Sequence, residues 1–341
     1  MRTVLLLAAL CMSAMAMADV SVLKVREIPW MTLHDAGRNR ELSISLCIPD
    51  GPGPYPLVVF SHGAYGSAKD VMAIGRFWAS SGYVVILPTH ADSFHYTERS
   101  DENDPWSGPH DFGAYGKPTT QGTWKPIWTQ RPRDIRFILD SLSTIEERVP
   151  EVKGKIDSKR IAAAGHSLGA YTTMLLGGTT VDIPGGTKGL TFDDDRLSAF
   201  ILISPQGQGQ QGLTETSWKN LRGPMLLITG SYDTGVYEQP ATWREDAYLL
   251  SRPGDKYLLF IKGANHNSYM GYHVVKKDDA RPLQRPGETD EQAGAAIFAQ
   301  TQLATLRFLD AYLKDDAEAK AYLQRNQIEK DSAGRATMTS R

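Results

Sequence analysis

A serine sits between two glycines in the run 161–175, IAAAGHSLGAYTTML. Residues 161–165, small or apolar, read as the end of a buried strand, and 168–175 as the first turns of a helix. Ser167 therefore falls on the turn between them, the position of a nucleophile elbow. Gly165 and Gly169 permit the tight turn and the close strand–helix contact that such an elbow demands. A hydroxyl held there can attack a carbonyl carbon under three conditions. An imidazole must take its proton, a carboxylate must orient the imidazole, and N–H donors must hold the oxyanion that forms.

The chain offers each partner in the required order. Asp233 lies in GSYDT after the apolar run 225–229, and His266 lies in GANHN after 257–261. Both then occupy loops at strand ends, with Asp233 as the expected acid and His266 as the expected general base. The other histidines are less well placed. His34 and His273 lie outside strand-end positions, and His95 and His110 fall in a long irregular segment. His166 is on the turn itself, where its ring is expected to point away from the hydroxyl. His90 follows the strand expected at 83–87 and is expected at a loop mouth, in reach of substrate. For the oxyanion, one donor is the N–H of Leu168, and the other is expected from Ala64 in FSHGAYG, after the strand 57–60. His62 is expected to brace that loop through hydrogen bonds, and neighbouring Tyr65 is a candidate substrate contact.

These positions require strands alternating with helices, the pattern of a mostly parallel sheet covered on both faces. Residues 42–48 alternate like an early edge strand, whereas 57–60 and 83–87 are nearly continuous apolar runs, as strands buried on both faces should be. Residues 68–80 supply a crossover helix. Residues 134–142 carry Ile135, Ile138, Leu139 and Leu142 at helical spacing. Further strands are expected at 161–164, 199–203, 225–229 and 257–261, with helices near 241–250 and 292–313. The fold class is α/β: a single domain over 19–328, followed by a polar tail, 329–341, expected to be disordered.

One insertion, about 91–131, interrupts this plan with Phe94, His95, Tyr96, Trp106, Phe112, Tyr115, Trp124 and Trp128. Two readings of it stay open: a lid or acyl pocket, with Trp124 and Trp128 as substrate-binding candidates, or a surface excursion anchored by its aromatics. The glutamine-rich run PQGQGQQG, 205–212, reads as a flexible turn.

Composition narrows the partners. The 341 residues carry 37 Lys and Arg against 39 Asp and Glu, a formal net charge of −2, so neither nucleic acid nor an anionic membrane is the expected partner. Residues 1–18 have the three-part pattern of a secretory leader: Arg2, an apolar stretch 4–10, and Ala16-Met17-Ala18 as a small-x-small cleavage site. That apolar stretch is too short for a membrane span, so the expected location is secreted or periplasmic. Beyond the leader only Cys47 remains, read as an inert strand residue. There is no metal-ligand spacing and no phosphate-cradling glycine fingerprint, and Asp193-Asp194-Asp195 reads as a solvated acidic turn. No cofactor is expected, and oligomeric state is left open.

Four runs, PLVVFSHGAYGS, GYVVILPTHADS, RPRDIRFILD and KIDSKRIAAAGHSLGAYTT, resemble the bacterial branch of the dienelactone-hydrolase-like α/β-hydrolases. That branch includes secreted hydrolases related to platelet-activating-factor acetylhydrolase and, more distantly, to polyester hydrolases. The resemblance is dense over about 56–173 and resumes at PMLLITGSYD, IKGANHNSY and the closing helix. It implies an α/β-hydrolase fold and a serine esterase with Ser167, Asp233 and His266 as triad, acting on small or lipid-like esters. Two departures qualify it. Dienelactone hydrolases use a cysteine where Ser167 stands. The acetylhydrolases carry their acid after the strand that here ends Ile203-Ser204-Pro205, which argues against carrying over phospholipid specificity. A peptidase or amidase on the same fold, or a phospholipid-type acetylhydrolase or lipase, is the rival enzyme, and a silent binding module the non-enzymatic alternative.

Overall fold

The computed structural model describes residues 22–93, 125–183, 185–271 and 284–341, with side chains in the second segment from Thr129 onward. The leader 1–18, His95, His110, His273, Trp124, the Trp128 side chain and most of the aromatic insertion lie outside the described residues.

Among the described residues nine strands form one sheet: β1 (Val25–Asp35), β2 (Arg40–Pro49), β3 (Tyr55–Ser61), β4 (Val84–Thr89), β5 (Ile156–His166), β6 (Leu197–Ile203), β7 (Met225–Tyr232), β8 (Lys256–Asn265) and β9 (Ala336–Ser340). Their order is β1-β2-β4-β3-β5-β6-β7-β8-β9. Strands β3 to β8 run parallel, and β1, β2 and β9 are antiparallel to their neighbours. This is the mostly parallel α/β-hydrolase sheet expected from the strand–helix alternation. Helices α1 (Met72–Ser80), α2 (Lys125–Asp140), α3 (Leu142–Arg148), α4 (Leu168–Leu176), α5 (Asp246–Leu250), α6 (Asp290–Leu313), α7 (Ala317–Gln324) and α8 (Gln327–Asp331) complete the described residues, with short 3-10 turns at Ala68–Val71, Ser217–Asn220, Ala241–Glu245 and Ser268–Met270.

Two-residue periodicity sends alternate strand side chains to opposite faces. Leu57 and Val59 of β3 pack with Ile135, Ile138 and Ile145 of α2 and α3. Val58 and Phe60 face the other way, into a core holding Trp78 of α1 and Leu306 and Phe308 of α6. Each such burial contributes roughly 1.5–3 kcal/mol, so helices on both faces are needed to cover strands that are apolar throughout. Cys47 is buried in β2, its Sγ 3.4 Å from Met72 Sδ, and burial, reinforced by Glu27, pushes its thiol up to about 12.

Three expectations need correction. Residues 42–48 are not an edge strand: β1 forms a hairpin outside β2, so β2 is paired on both sides and Leu42 to Pro49 are all buried. The insertion does not extend to Arg131, because α2 begins at Lys125. The tail 329–341 is not a disordered extension. It contributes the end of α8 and the strand β9, which pairs from Tyr257↔Ser340 to Ile261↔Ala336 and buries Ala336 and Met338.

The order fixes where a ligand can bind. From β3 the chain crosses to β4 on one side, and from β5 it moves to β6 on the other. The strand order therefore reverses between β3 and β5, the topological switch point outside whose carboxyl ends α/β sheets bind ligands.

Candidate active site

Ser167 follows β5 directly and caps α4 with φ 54° and ψ −117°, a strained conformation for a residue with a side chain. Flanking residues enforce it. A Cβ on Gly165 would lie 2.2 Å from the Gly169 carbonyl, and one on Gly169 would lie 1.9 Å from the Ser61 carbonyl oxygen, so neither position accepts any other residue without displacement. The Ser167 N–H donates to the Ile203 carbonyl at 2.9 Å, which ties the elbow to β6. Ser167 itself stays partly exposed.

Two distant loops meet it. His266, after β8, lies with Nε2 2.9 Å from Ser167 Oγ and Nδ1 3.0 Å from Asp233 Oδ1. An Asx turn shapes the histidine loop: Asn265 Oδ1 accepts from the N–H of Asn267 at 3.2 Å and of Ser268 at 3.1 Å. Asp233, after β7, is fully buried. Its Oδ2 accepts from Tyr269 Oη at 3.1 Å and Thr229 Oγ1 at 3.2 Å. Burial pushes its carboxyl upward, but the Arg244 guanidinium, with Nε 2.7 Å from Oδ1, and His266 outweigh it and hold the group well below the usual carboxylate range. Asp233 is thus an anion facing an imidazole, the arrangement that fixes Nδ1–H and leaves the Nε2 lone pair for the serine.

Three residues that the sequence did not mark as functional complete this corner. Arg244 is buried and clamps four backbone carbonyls: Asp233 at 2.9 Å, Ser204 at 3.1 Å, Pro205 at 3.0 Å and Thr234 at 2.9 Å. Ser204 lies with Oγ 2.8 Å from Asp233 Oδ1 and 2.7 Å from His266 Nδ1. His166, whose ring was expected to turn away from the hydroxyl, donates through Nε2 to the His266 carbonyl at 2.7 Å, the two ring centroids 4.8 Å apart. Burial, helped by the neighbouring His266, pushes His166 down to about 3, so it is neutral. A serine just past a strand and an arginine in the 3-10 turn Ala241–Glu245 carry no sequence signature for such contacts, since their partners come from other segments.

The loop after β3 lies against the elbow. A Cβ on Gly63 would sit 3.6 Å from Ser167 Cβ, and Ala64 packs against the apolar cluster that includes Leu168. Leu168 is the first residue of α4, where helical N–H groups lack intrahelical acceptors. Tyr65, the candidate substrate contact, is buried with φ 61°, and its N–H donates to Asp92 Oδ2 at 3.2 Å. Arg131, also buried, donates through Nη1 to the His62 carbonyl at 2.6 Å and through Nη2 to the Gly63 carbonyl at 3.0 Å. Its Nε and Nη2 reach the two oxygens of Asp92 at 2.9 and 2.6 Å. Among the described residues nothing accepts from the Ala64 N–H.

His62 does brace this loop. Its Nε2 accepts from the His90 N–H at 2.9 Å, so Nδ1 carries the hydrogen and donates to the Gly63 carbonyl at 2.6 Å. His90 does not stand at a loop mouth. It is fully buried, with Nδ1 2.9 Å from Asp134 Oδ2 and Nε2 3.1 Å from Ser61 Oγ, so neither ring nitrogen is available to a substrate. Asp134, in turn, meets Arg38 at 2.7 Å and Arg40 at 3.1 Å. A ring saturated by a carboxylate from α2 and a hydroxyl from β3 is structural. Elsewhere Asp194 pairs with Arg196 at 2.7 Å, and Asp193 and Asp195 with Arg222, so this acidic turn is part of an ion-pair network.

Comparisons with known proteins agree with the fold. The family described as platelet-activating factor acetylhydrolase, isoform II, matches residues 41–106. The chain is similar to a platelet-activating factor acetylhydrolase of Cavia porcellus, 21% identical over 276 residues, covering 76% of this chain and 58% of that protein. It is also similar to the cutinase est2 of Thermobifida alba, 24% identical over 212 residues, covering 62% of this chain and 53% of that protein. The chain thus spans a little more than half the length of these curated relatives.

Proposed function

Taking the chain as a relative of the α/β-hydrolases, we propose that it hydrolyses carboxylic esters through an acyl-enzyme formed on Ser167. The observation that carries this reading is the 2.9 Å contact between Ser167 Oγ and His266 Nε2 on a strained elbow, with anionic Asp233 behind the ring. The similarities to an acetylhydrolase and a cutinase support ester cleavage, on small or lipid-like substrates, over other acyl chemistry.

Ser167 Oγ attacks the acyl carbon while His266 Nε2 takes its proton, giving a tetrahedral intermediate with negative oxygen. The N–H groups of Ala64 and Leu168 donate hydrogen bonds to that oxygen, each contributing a few kcal/mol to the barrier reduction. Asp233 faces the imidazolium and stays ionised. The imidazolium then gives its proton to the leaving alkoxide, and the C–O bond breaks. Water, deprotonated by His266, attacks the acyl-enzyme, the serine regains its proton and the acid departs. These steps use protein groups and water alone. We further assign residues 1–18 as a secretory leader cleaved after Ala18, which would make the enzyme secreted or periplasmic.

Hydrolysis of p-nitrophenyl esters of graded acyl length tests the reading. The parent protein turns over short esters, prefers them to matched peptide anilides, and loses at least about 10⁴-fold in kcat on Ser167→Ala, as removal of a triad nucleophile does. Turnover retained by Ser167→Ala would overturn it, and faster anilide cleavage would reassign the enzyme as an amidase.

A further inference from the structure

Ser204 is fully buried directly after β6 and has φ 55°. That region favours glycine, because a Cβ there clashes with the backbone. The backbone at this position is satisfied without any side chain: the Ser204 N–H donates to the Ile228 carbonyl at 2.7 Å, and its carbonyl accepts from Arg244 Nη1 at 3.1 Å. Glycine would keep both bonds and relieve the strain. What it would lose is the hydroxyl, whose contacts are Asp233 Oδ1 at 2.8 Å and His266 Nδ1 at 2.7 Å. Strain retained for the sake of a side chain at a reactive centre points to a role for that side chain.

The hydrogens can be assigned. An ionised carboxylate only accepts, so the Ser204 O–H donates to Asp233 Oδ1. The Oγ lone pairs then face His266 Nδ1, which must itself carry a hydrogen, and the free lone pair of the ring is left on Nε2, facing Ser167. Asp233 is shared among Arg244, Tyr269 and Thr229, and its nearer oxygen is 3.0 Å from Nδ1. Ser204 Oγ is nearer, and donating to the carboxylate polarises it into a better acceptor.

We propose that Ser204 is a positioning residue of the Ser167–His266–Asp233 relay, its hydroxyl bridging the acid and the base so that His266 is held in the Nδ1–H tautomer and aimed at Ser167. The proposal rests on the ester-hydrolase reading. No proton passes through Ser204: it keeps its own hydrogen on the bond to Asp233 while His266 shuttles the proton of Ser167 through Nε2.

The test is Ser204→Gly, measured by p-nitrophenyl acetate kinetics, by the rate of Ser167 labelling with a fluorophosphonate, and by thermal melting. The expected result is a fall in kcat and in labelling rate of at least about tenfold, the worth of one hydrogen bond to a charged partner. KM should stay within about twofold, as expected for a bond that acts on the chemical step, and the melting temperature should move little, because the strain released offsets the lost bond to Asp233. In an Asp233→Asn background the same change should cost less than about threefold further, because both residues act on one Nδ1–H. Parent-like kcat and labelling, or a full multiplicative loss in the double variant, would each overturn the assignment. If the parent neither cleaves the ester nor labels at Ser167, the ester-hydrolase reading falls and takes Ser204 with it. If the parent does both and Ser204→Gly matches it, Ser204 alone falls.

Discussion

His266 Nε2 lies 2.9 Å from Ser167 Oγ although the two residues are 99 positions apart. The sheet closes that gap. Ser167 leaves the carboxyl end of β5 and His266 the carboxyl end of β8, with the parallel strands β6 and β7 registered between them. Each carboxyl end presents a loop to the same edge, so three separate turns can converge without a long excursion. His166, next to the nucleophile, then holds the His266 carbonyl and couples the two turns directly.

Gly169 is the tightest point of the elbow. Gly169→Ala drives a methyl group to 1.9 Å from the Ser61 oxygen, which is backbone and cannot swing aside. Unfolding in urea should show a loss of about 3 kcal/mol or more, at the upper end for overpacking. An alanine variant as stable as the parent would mean that β3 and α4 are less closely packed than described.

Arg131 and Asp92 form a buried pair beneath the loop that carries Ala64. Arg131→Met strands the carboxylate and should lower unfolding free energy by about 3–5 kcal/mol. It should also reduce kcat, since the His62 and Gly63 carbonyls lose their anchor. Adding Asp92→Asn should recover part of the stability but not the activity. Equal recovery of both would remove the loop from the account.

His166 is held down to about 3 in the folded protein, whereas an unfolded histidine titrates near 6.5. Below about pH 6.5 the unfolded chain binds the extra proton, so the stability contributed by neutral His166 is complete above that pH and is lost as pH falls toward about 3. The slope is about 1.4 kcal/mol per pH unit within the window. Burial depresses His62 and His90 too, adding slope of the same sign. Denaturation curves from pH 7.5 to 5 should therefore show acid destabilisation, shallower in His166→Asn. An unchanged slope would show that His166 protonates in place.

A chain ending at Gly334 loses β9 and leaves the β8 edge unpaired. With Ala336 and Met338 no longer buried, the loss should reach roughly 3 kcal/mol, and the bare strand should promote association. Thermal melting and size-exclusion chromatography check both; a monomer with parental melting would mean that β9 contributes little.

The elbow was legible because its residues are contiguous: glycines at both flanks, an apolar run before and a helical pattern after. Asp233 and His266 were legible as polar residues in loops closing apolar runs. The sheet was legible wherever strands are buried on both faces. What escaped depends on partners far along the chain. His90 reads as a loop residue, and only the fold brings Asp134 of α2 and Ser61 of β3 to its two nitrogens. Ser204 reads as the end of a strand, and its hydroxyl gains meaning only beside His266 and Asp233. Residues 336–340, ATMTS, are polar enough to pass for a tail, yet an edge strand needs only one buried face, which Ala336 and Met338 supply.

The most direct measurement of the central claim is covalent labelling by a fluorophosphonate, read by intact mass and peptide mapping. A single adduct is expected on the peptide containing Ser167, none in Ser167→Ala, and labelling slowed by at least about 10³-fold in His266→Ala, since the hydroxyl then lacks its base. An adduct elsewhere, or labelling of Ser167 at the parental rate without His266, would contradict it.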